Sequence, residues 1–364
     1  MKKSLLALAV LGAFAGAASA QSSVTVYGIA DLGITSQDTG AAAGSDRKTG
    51  INAGNQSASR IGFKGTEDLG NGLKANFVLE GGIDSDTGLT KTTGLFNRLS
   101  TVGLSGNFGS VDLGRQVSAI KDAYDQIDPF GDGGTIAPIS AVFFGGALVS
   151  DAGRISNSIK YTSNSYSGFK FGAAYGFGET TGSTSANSNY GANVGYANGP
   201  LNVQFGYHSQ DKTNAAVAAV IFDAAKPTTV LGSAAIAAAD GKTKNTFLGA
   251  TYDFGVAKLH AAYGNSKTDN FGVDTAKVRN YLVGVSAKVG AAGTIMASYA
   301  VNDDRLVANK DSKRAGIMYA HDLSKRTNLY TGYSRTSNDS GAKLAVTSNG
   351  ESGSMFAVGV RHKF

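Results

Sequence analysis

The chain contains no cysteine and only four prolines, and no apolar run after its first twenty residues approaches the ~20 residues of a membrane-spanning helix. The longest candidate, residues 215–225, is alanine-rich and interrupted by Asp223. A helical membrane protein is thereby excluded, and so are disulfides and thiolate metal ligands. Pro129, Pro138, Pro200 and Pro227 all fall in segments that read as turns or loops, so every expected strand can form a full hydrogen-bonded ladder. Charge is sparse at 16% of residues, and the basic side chains are dispersed rather than gathered in a stripe, so no nucleic-acid partner is expected. His208, His260, His321 and His362 have no carboxylate or second histidine at ligand spacing, which argues against a metal site. Gly241-Lys242-Thr243 resembles the end of a phosphate-binding loop, but Ile236 stands where that loop requires glycine. No G-x-S-x-G elbow occurs. Neither catalytic residues nor a cofactor are expected.

What the chain has in quantity is glycine (50), phenylalanine (18) and tyrosine (15), a mixture suited to sheets with tight turns and poor for long helices. Its N-terminus reads as an export address. Lys2 and Lys3 precede an apolar run from Leu5 to Phe14, and Ala18-Ser19-Ala20 offers a cleavage site of small residues. Residues 1–20 are expected to be a signal peptide and residues 21–364 the mature chain. Losing two lysines leaves 31 basic against 27 acidic residues, a net charge of +4.

A period of two runs from end to end. Phe169, Phe171, Ala173, Tyr175 and Phe177 alternate with Lys170, Gly172, Ala174, Gly176 and Gly178. Leu201, Val203, Phe205 and Tyr207 alternate in the same way with Asn202, Gln204, Gly206 and His208. A soluble sandwich would carry dense charge on its second face, whereas here that face is glycine, serine, alanine or asparagine. Runs of about ten residues also match a tilted strand crossing a bilayer.

Connections alternate in length. Short ones include 66–71, 106–109, 197–200, 290–293 and 322–327, and long ones include 35–53, 119–153, 211–244 and 338–352. Short periplasmic turns and long external loops are the asymmetry of outer-membrane barrels. The pattern predicts an all-β fold, a membrane-spanning antiparallel barrel of sixteen strands wide enough to hold water. The predicted strand cores run from 22–34 and 55–65 to 353–364. Two places resist the pattern: the alanine-rich stretch 215–239, readable as a hairpin or as packing into the barrel mouth, and the region of Arg98 and Arg115, where broken alternation suggests a bulge or a half-filled lumen.

The last strand carries Phe356, Val358, Val360, His362 and Phe364 on one face. An exposed edge of this kind is a hazard in water, and pairing with 22–34 removes it, so Phe364 is expected to close the barrel and act as its assembly signal. Together with SSVTVYGIADLGI (22–34), SRIGFKGTEDLGNGLKANFVLE (59–80), FNRLSTVGLSGNFGSVDLGRQ (96–116) and RISNSIKY (154–161), this end makes the mature chain resemble the general bacterial porin family, most closely the β-proteobacterial porins. The resemblance implies a Gram-negative outer-membrane location among lipid and lipopolysaccharide, a homotrimer, and a third external loop folded into the lumen. It also implies passive diffusion of small hydrophilic solutes and inorganic ions. A substrate-specific channel, and after it a barrel enzyme or adhesin, remain open as alternatives.

Loop 119–153 is then the constriction loop, with Asp122, Asp125, Asp128, Asp132 and Asp151 and a DPFGDGG stretch (128–134) that partly matches the family's PEFGG element. The resemblance places Arg60, Arg98 and Arg154 on the basic wall opposite, with Arg115, Arg361, Lys64 and Lys160 as lesser candidates. Arg60 and Lys64 share a phase opposite Ile61 and Phe63, and Arg154 shares one with Ser156, Ser158 and Lys160. A guanidinium facing lipid at the midplane costs ~2–4 kcal/mol, so these side chains should point inward, where a basic ring favours anions.

Overall fold

Strict alternation satisfies two solvents at once, one per face. The computed structural model describes residues 23–41, 47–131, 133–143, 153–213, 217–223, 226–236, 240–270 and 272–364, so the expected leader lies outside the described residues. The strands are β1 (Ser23–Asp38), β2 (Arg47–Ala53), β3 (Arg60–Gly70), β4 (Leu73–Asp84), β5 (Leu89–Thr90), β6 (Leu99–Gly106) and β7 (Gly109–Val117). After an inward segment come β8 (Arg154–Thr162), β9 (Phe169–Gly176), β10 (Asn189–Asn198), β11 (Leu201–Thr213), β12 (Val217–Asp223), β13 (Lys226–Ile236) and β14 (Asp240–Asp253). The chain finishes with β15 (Ala257–Asn270), β16 (Val273–Val289), β17 (Gly293–Asp304), β18 (Ser312–Asp322), β19 (Thr327–Asn338) and β20 (Gly353–Lys363).

These strands build a closed barrel of sixteen antiparallel staves. β2 and β3 are two pieces of one stave, since the lower half of β1 pairs with β3 and its upper half with β2. β5 is a short arm in the second loop, and β12 pairs with β13 as a separate hairpin, which answers the open reading of the alanine-rich stretch. Closure comes from β1 against β20, where Ile29–Asp38 pairs with Lys363–Ser354. The backbones of Gly28 and Phe364 then exchange two hydrogen bonds of 3.0 and 3.1 Å. Gly28 is required there because a Cβ would sit 2.4 Å from the Phe364 ring. Among the described residues, the barrel sheet itself has no open edge to template aggregation.

The outward face is apolar and exposed, with Val24, Val26, Val102, Leu104, Phe171, Val194, Phe205, Val283, Ile317 and Val358 all at least 42% accessible. The buried residues are largely polar and line the inside, among them Asp31, Gln204, His208, Asn280, Arg314 and Asn328. This inversion needs hydrocarbon outside and water inside.

Two departures from the predicted strands matter for the site. The long first loop shrinks, because β1 runs on to Asp38 and residues 47–53 are strand; the predicted strand 55–65 begins instead at Arg60. The cause is the buried Asp31. Its Oδ2 accepts the backbone N–H groups of Gln56 and Ser57 at 2.7 and 2.6 Å, and its Oδ1 accepts the Tyr330 hydroxyl at 2.6 Å. Residues 54–59 are thereby drawn off the ladder into the lumen. The second departure is the expected bulge, between Gly114 and Gln116, where Gly114 takes a φ of +122° and Asn157 across from it one of +50°. Gln116 and Ile155 become the buried pair there, so the phase shared by Ser158 and Lys160 does not carry through to Arg154.

Candidate pore constriction

The third loop turns inward at Ser118, whose hydroxyl caps α1 (Ala119–Asp125) by accepting the Lys121 N–H at 3.3 Å. The helix presents Ile120, Ala123 and Tyr124 to the wall, where they join Ile127, Ile139, Val142, Phe143, Phe247 and Leu282 in a dry cluster. Beyond the helix, Asp128 organises the DPFGDGG turn. Its Oδ1 accepts the Phe130 N–H at 3.0 Å and its Oδ2 the Ile139 N–H at 2.9 Å, tying the tip into a closed lobe. Burial raises this carboxyl to about 7 against the two backbone donors that favour its charged form.

The wall accepts the loop because it is glycine at six of the closest approaches between them. A Cβ on Gly206 would meet Ile120 at 3.0 Å, on Gly249 Ile127 at 2.8 Å, and on Gly284 Pro129 at 2.9 Å. On Gly264 it would meet Phe143 at 2.9 Å, on Gly316 Ala137 at 2.2 Å, and on Gly332 Ile136 at 2.7 Å. These six glycines lie on β11, β14, β15, β16, β18 and β19 and form a track interrupted at β17, where Ser298 stands between Gly284 and Gly316. At its far end, Phe130, Ile136 and Ala137 pack with Met318, Tyr330, Met355 and Ala357. Arg314 bonds the tip carbonyls of Thr135 and Ile136, and the inward segment supplies the Asn55 carbonyl to the Thr135 N–H at 3.0 Å.

Across the lumen, the first staves carry the cations. Arg60 stands on β3, half-buried, in the phase of Gly62 and Lys64, and the Lys64 ammonium sits 5.2 Å from the centre of the Tyr27 ring. Arg98 is buried and bonds Glu80 through Nε at 2.6 Å, while the Tyr27 hydroxyl donates to the other Glu80 oxygen at 3.0 Å. Arg361 on β20 donates to Asn328 and to Ser57, each at 2.9 Å, with Lys363 two residues on. Arg115 sits in the bulge, donating to the Asn97 carbonyl and the Ser156 hydroxyl, both at 2.7 Å. Arg154 is half-buried opposite Val117, where the loop rejoins the wall.

The loop acids are engaged locally. Asp122 pairs with Lys160, which also donates to the Val117 carbonyl, and Asp125 pairs with Lys121 at 2.6 Å. Burial raises the Asp122 carboxyl and Lys160 opposes the shift. Asp128 faces its own turn, and Asp132 and Asp151 lie outside the described residues. On either side of the loop the lumen opens into cavities of about 690 Å³ towards the long loops and about 440 Å³ beneath α1. Sequence reasoning missed Asp31, Tyr330, Arg314 and the glycine track. The alternation did expose a visible signal, since Arg314 and Gly316 oppose the outward Ile317. It gave no hint of what would lie against them.

A narrowed, water-accessible barrel with a basic wall is the geometry of an outer-membrane channel, and comparison with known proteins agrees. A family model described as Gram-negative porin matches residues 7–341. The chain belongs to the Gram-negative porin family. Outer membrane porin protein 32 of Delftia acidovorans is 37% identical over 380 residues, and an outer membrane porin protein of Bordetella pertussis is 35% identical over 413 residues. Both alignments cover 100% of each chain. The solved structure of an anion-selective porin from Comamonas acidovorans superimposes with a TM-score of 0.78 at 33% identity, covering 94% of this chain and 100% of that one. The protein is an outer-membrane channel and not an enzyme.

Proposed function

We propose that this porin is a passive diffusion channel for small hydrophilic solutes with a moderate preference for anions. The observation that carries the reading is an asymmetry of charge. Arg60, Lys64, Arg361 and Lys363 gather on one wall, while Asp122 and Asp125 on the loop are each neutralised by a lysine. A basic constriction between low-dielectric walls concentrates anions and repels cations. Arg98 contributes less than its position suggests, because Glu80 cancels most of its field. Zero-current potentials across a planar bilayer under a potassium chloride gradient test the reading: chloride should permeate better than potassium, with the preference falling in an Arg60→Gln, Arg361→Gln variant. A potassium preference refutes it. The anion-selective Comamonas relative supports the same reading.

The chain is further read as a homotrimer in a membrane bearing lipopolysaccharide. Tyrosine marks membrane interfaces, and every tyrosine more than 36% exposed among the described residues lies between Tyr166 and Tyr333. The outer faces of β1, β3, β6, β7 and β20 carry mostly aliphatic side chains, with Phe63 and Phe356 among them, which suits contact with further copies. Residues 1–20 are read as the cleaved leader, tested by a mature mass beginning at Gln21.

A further inference from the structure

The buried cations Arg98, Lys121 and Lys160 each pair with a carboxylate, and Arg314 does not. It lies on β18 at 8% exposure, and no carboxylate among the described residues is within ion-pair distance. Its guanidinium is spent on neutral oxygens. Nη2 donates to the carbonyls of Thr135 and Ile136, both at 2.7 Å, and to the Ser334 hydroxyl at 3.2 Å; Nη1 donates to the Thr336 hydroxyl at 3.1 Å. Burying a cation without a counter-ion is costly, and the planar fork that makes this acceptable is already committed to the tip of the constriction loop. Such a group is too shielded to filter ions. It is well placed to hold the loop.

We propose that Arg314 is the positioning residue that clamps the tip of the constriction loop to β18, so that aperture and steadiness of the open channel depend on it while ion preference does not. Three features converge on the clamp. The adjacent Gly316 and Gly332 let Ala137 and Ile136 reach the wall. Asn55, held inward by the Asp31 turn, supplies the loop's second attachment through its carbonyl and also donates to Tyr330 at 3.1 Å. The helical root of the loop is fixed independently by its apolar cluster, so losing Arg314 frees the tip alone.

The inference rests on the channel reading, which the conductance of the unmodified protein in the same bilayers tests separately. Full-length Arg314→Gln protein, assembled in outer membranes and purified, should show open-channel noise raised several-fold and closure at lower voltage, with the chloride-to-potassium ratio unchanged. Arg314→Lys should fall between, since an ammonium can reach one carbonyl. The absence of cysteine allows a decisive rescue. Ile136 side-chain atoms lie 2.7 and 3.2 Å from a Cβ built on Gly332, so an Ile136→Cys, Gly332→Cys disulfide can replace the clamp covalently. In the Arg314→Gln background the oxidised pair should restore a quiet channel, and reduction should return the noise. A quiet, full-conductance Arg314→Gln channel overturns the proposal, and so does noise that persists after oxidation. Were Arg314→Gln not to assemble, the lysine variant recorded with and without the disulfide separates the same two outcomes.

Discussion

Replacing Gly316 by alanine adds one methyl group at the closest approach between loop and wall. A Cβ there would lie 2.2 Å from the Ala137 Cβ, whereas carbon atoms in contact rest at ~3.5–4.0 Å. The tip must therefore withdraw by about 1.3 Å or more, or the wall must absorb the overlap. Withdrawal stretches the 2.7 Å bonds from Arg314 to the Thr135 and Ile136 carbonyls to about 4 Å, beyond hydrogen-bond range. Each charge-assisted bond is worth ~1.5–3 kcal/mol. Staying docked costs ~1–3 kcal/mol of overpacking strain. The two bonds together, ~3–6 kcal/mol, match or exceed the strain, so the docked tip should dominate and the lifted tip be visited as a minor state.

A lifted tip moves into the lumen, so Gly316→Ala should lower mean single-channel conductance and add flicker between two levels. The barrel ladder around position 316 is unaffected, so the temperature at which the assembled protein unfolds should stay within a few degrees of the parent. Gly50→Ala is the matched control, because a Cβ there meets nothing within 4 Å and no positive φ is involved. Planar-bilayer recordings at fixed voltage decide the matter. A Gly316→Ala channel indistinguishable from Gly50→Ala in conductance and noise would refute the reasoning that the glycine track seats the loop.

Glu80→Gln removes the carboxylate that binds Arg98 and Tyr27; it should increase anion preference, seen as a larger zero-current potential, while lowering stability by about 3 kcal/mol in denaturant titrations because a buried guanidinium loses its partner. Asp128 sets a pH dependence. Its docked-state value of about 7 lies above the ordinary 3.8, so the docked loop holds a proton that a released loop sheds. Docking is then strongest below about pH 4, weakens as pH rises towards 7 and levels off above it. Open-channel noise should rise between about pH 4 and pH 7, level off above that, and be nearly flat in Asp128→Asn. Asp31→Asn leaves two backbone N–H groups and the Tyr330 hydroxyl competing for one oxygen; it should cost roughly 2–3 kcal/mol in the same titrations and also unsettle the loop, because residues 54–59 carry the Asn55 carbonyl.

The architecture was legible because a barrel is dictated locally. Each stave must alternate, each must span about ten residues, and the two sorts of connection differ in length, so the predicted strands differ from β14 to β20 mostly at their ends. What escaped depends on contacts between residues far apart in sequence. The bulge was expected from broken alternation, but only the pairing of Gln116 with Ile155 reveals which residues change face, and that moved Arg154 out of phase with Ser158 and Lys160. The six lumenal glycines were visible as small residues on a polar face. Nothing local distinguishes a glycine that opens space for water from one that seats a loop far away along the chain.

That distinction changes what the constriction loop does. Acids facing basic residues across a gap suggest a transverse field, with loop and wall sharing the work of selection. The structure spends those acids elsewhere: Asp122 on Lys160, Asp125 on Lys121, and Asp128 on the backbone of its own turn. Most contacts left to the loop are apolar packing, on the wall's glycines and on side chains such as Phe247, Leu282 and Met318, and bonds to neutral groups or to a buried arginine, all of which fix position. On the proposed reading, aperture and charge selection are carried by different residues, although loop tip and cationic wall meet along β20. The loop governs how much passes, through Gly316, Gly332 and Arg314. On the proposed reading, the wall of β1, β3 and β20 sets which sign of charge passes, through Arg60, Lys64 and Arg361. Substitutions on the two sides should then act independently, and a double variant such as Gly316→Ala with Arg361→Gln should show the conductance of the first and the ion preference of the second.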